Sequence, residues 1–305
     1  MAIQNAINAS TARPTLVFGA TGRQGGAVAR TAIGKGGSVR ALVRDPASVA
    51  ARALSAYGVE VVRGDYSDPA SIRAAMKGID RVFSTQPNSG SAGSGLTDAD
   101  EVRYAKLVAD LAVEAGVGHL VYSSASIISQ GPTGVPNLDC KIEIEDHVRR
   151  LSIPWTIVRP STFMELLATP DFWPRPDLLH FFAGSKDPVE FIATEDIGKI
   201  VGAILERGDR FAARTVNIAG DLLDGEKIQT AIGKELGQPI TFARFPDTLL
   251  EQHPMLQRTV QLFAAGRGAG NADLTALEHE FGRLTRLEDW LSGTGGALLC
   301  SVRGS

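Results

Sequence analysis

The amino-acid sequence predicts an α/β fold: a doubly wound parallel sheet with a smaller, mixed or helical C-terminal region. Three observations carry this. Short apolar runs alternate with helix-like stretches about six times between residues 14 and 160. Runs such as TLVF and HLVY are apolar at every position, as strands covered on both faces require. A glycine-rich turn joins the first run directly to the first helix.

Residues 15–18, bounded by Pro14 and Gly19, read as a buried strand. A helix is expected over 24–33, ended by Gly34, Gly36 and Gly37. Residues 39–43 form the second strand, 47–56 a helix and 59–62 the third strand. Asp68-Pro69 opens a helix to about residue 77, with Asp as N-cap and Pro at the first helical position. Strands at 81–84, 119–123 and 155–159 then enclose helices at 98–115 and 140–150. Beyond Pro160 the regularity weakens. A helix over 195–206 with Thr194 as N-cap, strands at 215–218 and 240–245, and helical sequence from Asp247 onward are expected. Leu274, Leu277, Phe281, Leu284 and Leu291 form an amphipathic stripe that reads as a helix packed on the core. The domain reading is a dinucleotide-binding domain over 14–160, a smaller substrate region over 161–292 interleaved with the sheet, and disordered tails at 1–13 and 293–305.

A 305-residue chain can bury a core without disulfides or structural metal. Its net charge of −3 lacks the basic footprint of a nucleic-acid binder. The two cysteines, Cys140 and Cys300, have no zinc-ligand spacing. No apolar run approaches the roughly 18–20 residues of a membrane span, and residues 1–13 lack the features of a signal peptide. A cytoplasmic protein, away from membrane and nucleic acid, is expected, with no metal site.

The loop Gly19-Ala20-Thr21-Gly22-Arg23-Gln24-Gly25 is the strongest motif. Gly19 allows the tight turn, Gly22 lets backbone approach a pyrophosphate, and Gly25 lets helix pack near strand. The helix N-terminus then offers free N–H groups and a partial positive charge to phosphates. The pattern points to a Rossmann-type dinucleotide site. The end of the second strand bears on cofactor choice: an acid accepts the ribose 2′-OH of NAD(H), whereas an arginine pairs with the 2′-phosphate of NADP(H). Arg44 ends the strand and Asp45 follows as a helix cap, with Arg23 as a second cation, so NADP(H) is favoured over NAD(H). Asp65 and Tyr66 follow the third strand, where the adenine would lie, and Asp65 reads equally as a turn residue. Thr85, Gln86 and Pro87 line the path towards the nicotinamide.

GATGRQGG, LVRDP, VEVVRGDYSD, CKIEIEDHVRRLSIPWTIVRPSTFMELL and the closing RLEDWL together resemble the NmrA-like family, atypical short-chain dehydrogenase/reductases related to isoflavone reductases. The resemblance covers roughly residues 14–292. It implies that Arg44 contacts the 2′-phosphate, that Lys141 lies near the nicotinamide and that Phe163 belongs to a loop over it. It also implies two kinds of member: NADPH-dependent reductases, and redox sensors that control partner proteins.

The tyrosine of the usual Tyr-x-x-x-Lys pair is missing. Asn137 stands four residues before Lys141 and cannot serve as the proton donor. Lys141 and Ser123 are the candidate catalytic residues, both also cofactor contacts. Lys141 is expected to pair with Glu145, one turn on, in the site or on the surface. Cys140 is either a redox-sensitive thiol or an inert buried one. Phe163, Phe172 and Trp173 suit either a pocket wall or the core. The functional reading is an NADPH-dependent reductase of a small carbonyl, quinone or aromatic electrophile. The alternative is a non-catalytic NADP(H) sensor acting on a regulatory protein partner.

Overall fold

A computed structural model describes residues 14–89 and 95–303. The expected tail at 1–13 lies outside the described residues. By its internal contacts the chain falls into two units that alternate along the sequence. The first comprises 1–124, 140–158 and 197–215, and the second 125–139, 159–196 and 216–305.

The first unit carries the doubly wound sheet. Its strands are β1 (Thr15–Val17), β2 (Val39–Val43), β3 (Glu60–Arg63), β4 (Arg81–Ser84), β5 (His119–Ser123) and β6 (Trp155–Pro160). With β10 (Arg214–Ile218) they stand in the order β10-β6-β5-β4-β1-β2-β3. β1 pairs in parallel with both β2 and β4, Leu16 facing Arg40 on one side and Val82 on the other. The chain winds outward from β1 to β3 and restarts at β4 on the other side. The resulting switch point, between the C-terminal ends of β1 and β4, is where ligands bind in sheets of this kind.

Five helices belong to the crossovers: α1 (Arg23–Gly34), α2 (Val49–Ala56), α3 (Pro69–Ala75), α4 (Asp98–Glu114) and α5 (Pro136–Val148). Leu16, Phe18, Leu42 and Val82 bury one sheet face with Ile72 of α3 and Val108 and Ala112 of α4. Asp68 caps α3 as expected, accepting from Ala70 N at 3.0 Å. Asp45 does not cap α2. Its carboxylate accepts from Ala47 N at 2.9 Å, closing a turn, and Ser48 is the N-cap. Ser48 stands directly before the first helical turn, where its hydroxyl reaches the free Ala51 N–H, and so takes the role. A capping box starts α4: Thr97 Oγ1 accepts from Asp100 N and Asp100 Oδ2 from Thr97 N, each at 3.1 Å.

The second unit holds two small sheets. β11 (Asp221–Leu223), β9 (Val189–Ile192) and β7 (Thr162–Phe163) form one, and β12 (Thr241–Arg244) pairs with β8 (Leu178–Phe181) in the other. β7, β8, β9 and β11 were not expected from the sequence. Phe172 contacts Phe181, Phe182 and Phe245 edge-on, with ring centroids 5.1–5.9 Å apart. Trp173 is buried and donates from Nε1 to Leu167 O at 2.8 Å. Phe172 and Trp173 are therefore core residues. The expected helix α6 (Thr194–Glu206) is present, but Thr194 is its first residue rather than its N-cap. Thr194 N and Oγ1 both donate to the buried Glu165 carboxylate, at 3.1 and 2.8 Å, which supplies the cap from a distant loop. The C-terminal segment is not a disordered tail. Residues Gly296–Arg303 form a helix, and Leu299 is fully buried in the core of this unit. Its glycines mask an apolar stripe of Leu298, Leu299 and Val302. Among the described residues no helix is long and apolar enough to cross a membrane.

Buried His119, at the start of β5, shows how polar groups are accommodated in the first unit. Thr156 Oγ1 donates to Phe211 O at 2.7 Å, so it accepts from His119 Nε2–H at 2.8 Å. Burial first, and the nearby Arg81 second, pull the imidazole pKa down from 6.5 to about 4. The unfolded chain therefore takes up a proton below pH 6.5 that the folded chain refuses until about pH 4. This contribution to stability is complete above 6.5 and is lost as the pH falls towards 4. Chemical denaturation across that window should show stability declining with acid, and less steeply in His119→Gln; equal slopes would contradict the assignment. Thr156→Val, which strips both hydrogen bonds, should cost about 1–3 kcal/mol.

Candidate functional site

The crevice at the switch point is built by a close backbone approach. Gly19 turns the chain out of β1 with φ +65°, and a Cβ there would stand 2.7 Å from Thr85 Cγ2. A Cβ on Gly25 would lie 2.4 Å from Gly19 O, so α1 starts directly against the turn. Only glycine permits this approach. Gly22 N donates to Gly19 O at 2.9 Å, closing the loop. Thr21, Gly22 and Arg23 are exposed along its outer side. The twelve-residue α1 carries no acid in its first turn and no side-chain cap, leaving its N-terminal field unopposed.

Ser123, at the end of β5, donates from Oγ to Gln24 Oε1 at 2.7 Å. This bond ties the glycine loop to the middle of the sheet, and it commits the Ser123 proton. At the neighbouring strand ends, Gln86 Nε2 donates to Ser84 Oγ at 2.8 Å, while Gln86 Oε1 and Ser124 Oγ are buried without a hydrogen-bond partner. Buried polar atoms of this kind are costly and call for a ligand or water. Pro87 follows Gln86 at the same strand end.

On the other side of the switch point, Arg44 is exposed at the end of β2. Neither Arg44 nor Arg23 forms a salt bridge among the described residues. Asp65 Oδ1 accepts from Ser67 N at 2.8 Å and Ser67 Oγ at 2.6 Å. The Ser67 hydroxyl, with its backbone N–H next, holds the Asp65 carboxyl below its usual pKa, and the charge of Arg44 adds to this. Asp65 thus closes a turn after β3. Tyr66 donates to Thr85 O at 2.9 Å and stacks on Tyr104 with centroids 5.2 Å apart. Burial raises its phenol well above the ordinary value, so it acts as a wall and a hydrogen-bond donor.

Lys141 has a different partner from the one expected. Its ammonium pairs with Glu101 of α4, which is 2% exposed. Glu145 instead pairs with Arg149 on the far side of its own turn. Both Lys141 and Arg149 lie four residues from Glu145, and helical spacing alone cannot choose between them. Cys140 Sγ lies 3.7 Å from Glu101 Oε2. Burial, with Glu101 adding, pushes its thiol up to about 12. Tyr122, within β5, is fully buried, and burial raises its phenol far above its ordinary value. Asn137 stands where a proton-donating tyrosine would be needed. Glu101 was missed in the sequence, although a signal was there. It occupies the apolar stripe of α4 with Tyr104, Ala105, Val108 and Ala112, a charge where spacing calls for a hydrophobe. Phe163 belongs to the second unit, half-buried in β7.

Known proteins resemble this chain along most of its length. The profile of the NmrA-like family matches residues 12–284. A (4-alkanoyl-5-oxo-2,5-dihydrofuran-3-yl)methyl phosphate reductase of Streptomyces griseus is 32% identical over 230 residues, covering 74% of this chain and 75% of the reductase. The negative transcriptional regulator NmrA, solved in complex with NADP, superposes with a TM-score of 0.77 at 19% identity, covering 95% of this chain and 97% of the regulator. The triphenylmethane reductase of Citrobacter sp., solved with NADP(H), gives a TM-score of 0.75 at 19% identity, over 92% of this chain and 99% of the reductase. At these identities the solved structures establish the shared fold.

The Cys140 environment makes a direct prediction. The thiolate is the reactive species, so at about pH 8 Cys140 should resist iodoacetamide in the folded protein while the exposed Cys300 is labelled. Peptide mapping by mass spectrometry reads both sites. Labelling of Cys140 as fast as Cys300 would overturn the inert assignment.

Proposed function

The chain belongs to the NmrA-like family, and from that premise we propose that it is an NADPH-dependent reductase of a small carbonyl, quinone or aromatic electrophile. The observation that carries the cofactor choice is the pair of exposed arginines, Arg23 within the glycine loop and Arg44 at the end of β2, without salt-bridge partners among the described residues. A guanidinium at the end of β2 suits a 2′-phosphate, which it can bind bidentately. The residues present fit the rest of a dinucleotide. Backbone N–H groups at the start of α1 suit the pyrophosphate. The unpartnered Gln86 Oε1 and Ser124 Oγ offer hydrogen bonds to the nicotinamide half. NADPH, when bound, supplies a hydride. The chain's own residues bind and orient: Ser123 holds Gln24 and with it the loop, Tyr66 and Thr85 brace the crevice wall, and Lys141 presents fixed N–H donors. The reductase activity of the Streptomyces griseus relative supports this class of chemistry.

The alternative reading is an NADP(H) sensor that acts on a regulatory protein partner. It is favoured by two features: Asn137 replaces the proton donor, and the Ser123 proton is already committed to Gln24. NmrA itself is a negative transcriptional regulator. A cytoplasmic location is part of both readings.

Fluorescence titration with NADPH and NADH, followed by quinone and aldehyde panels, separates the two. Consumption of NADPH with any acceptor supports the reductase, and tight binding without turnover supports the sensor. Failure of NADPH to bind would overturn both. Arg44→Ala should weaken NADPH binding about 10–100-fold, the loss of a charge-assisted contact, and leave NADH nearly unchanged. Equal loss for both cofactors would contradict the placement of Arg44.

A further inference from the structure

The pairing of Lys141 with Glu101 is expensive by the measure of its surroundings. Glu101 lies on the apolar stripe of α4, 2% exposed, and the Lys141 side chain is 13% exposed. Removing both charges from water costs more than apolar side chains of the same size would, so a buried pair adds little to stability. Nor is it needed to join the helices. An ion pair and a hydrogen bond already link α4 to α5 at the surface, Lys106 to Glu143 at 2.6 Å and His147 Nε2 to Asp110 Oδ1 at 2.7 Å. They extend the same seam at low desolvation cost.

The geometry around Glu101 is that of a holder. Its Oε1 receives the Lys141 ammonium and its Oε2 the Cys140 thiol, so both oxygens point to the second turn of α5. The capping box of Thr97 and Asp100 fixes the first turn of α4 immediately before it. An ammonium has three N–H donors, and one of them is engaged by Glu101. We infer that Glu101 is the positioning residue for Lys141, orienting the ammonium by one N–H so that the other two serve the nicotinamide ribose of the bound cofactor. This rests on the reading of the first unit as an NADP(H) site with Lys141 near the nicotinamide. It adds a residue of α4, forty positions away in sequence, to that site.

The test compares wild type, Glu101→Gln, Lys141→Met and the double variant. The first readout is emission of bound NADPH, which needs no turnover. The second is the KM-against-kcat split with a quinone acceptor. Glu101→Gln keeps the shape of the side chain and removes its charge. It should shift the bound emission in the same direction as Lys141→Met and lower kcat about tenfold, with KM for NADPH changed less than about threefold. In the Lys141→Met background it should do nothing further. Wild-type emission and kcat in Glu101→Gln would overturn the inference, as would independent, multiplying effects in the double variant. If wild type itself shows no bound NADPH emission, the cofactor reading falls and this inference with it. Should Glu101→Gln fail to fold, the Lys141 ammonium can be followed by nitrogen NMR in the wild-type protein. A protected signal that moves on NADPH addition is expected, and one that ignores NADPH would overturn the assignment.

Discussion

Everything at the candidate site depends on how closely backbone approaches backbone where β1 ends. Gly19 O lies where a side chain on Gly25 would need to be, and Thr85 presses on Gly19 from the neighbouring strand. That contact sets the start of α1 against the sheet at its switch point. The unopposed N-terminus of α1, the loop between Gly19 and Gly25 and the ends of β2, β4 and β5 then converge on one crevice. Enlarging Gly25 would push α1 away from β1, since the neighbours in the way are backbone atoms of Gly19 and Ala20 that cannot rotate aside, while at Gly19 the left-handed φ and the Thr85 side chain oppose any larger residue.

Around this constraint the polar groups divide into two classes. Some are satisfied within the protein and so have fixed roles: Ser123 on Gln24, Tyr66 on Thr85, Asp65 on Ser67, Glu165 on the start of α6. Others are left open at the strand ends, Gln86 Oε1 and Ser124 Oγ, or exposed without a salt bridge, Arg23 and Arg44. A ligand with phosphates at one end and a hydrogen-bonding ring at the other answers both kinds of open group. The reactive-looking cysteine belongs to neither. Cys140 lies beside a buried carboxylate, in surroundings that suppress its thiolate, so any sensing by this protein would run through the cofactor rather than through that thiol.

Much of the first unit is legible in the sequence because its rules are local. A strand covered on both faces is apolar throughout, and each turn or cap is written within a few residues, as Thr97 to Asp100 and Asp68 to Ala70 show. The second unit is less legible because its strands find partners far away. β7 is two residues long and pairs with β9, and β8 pairs with β12 across some sixty positions. Runs of two to four residues are too short to carry a periodicity of their own. The site divides in the same way. The glycine loop and Arg44 stand out by spacing, whereas the choice of Lys141 for Glu101 over Glu145 depends on which helix faces α5, a tertiary fact. The charge on the apolar stripe of α4 marked Glu101 as unusual without naming its partner. At the C-terminus, glycines at 293, 295 and 296 suggested disorder, yet two of them permit close packing: a Cβ on Gly295 would stand 2.3 Å from the Trp290 ring and one on Gly296 2.4 Å from Leu291 O.

The most direct measurement is a crystal structure of the protein with NADP(H). The account predicts pyrophosphate over the start of α1 between Gly22 and Gly25, the 2′-phosphate on Arg44, and the nicotinamide half reaching Gln86, Ser124 and the Lys141 ammonium, still held by Glu101. A cofactor bound elsewhere, or bound in the crevice with its 2′-phosphate away from Arg44 and Arg23, would contradict it.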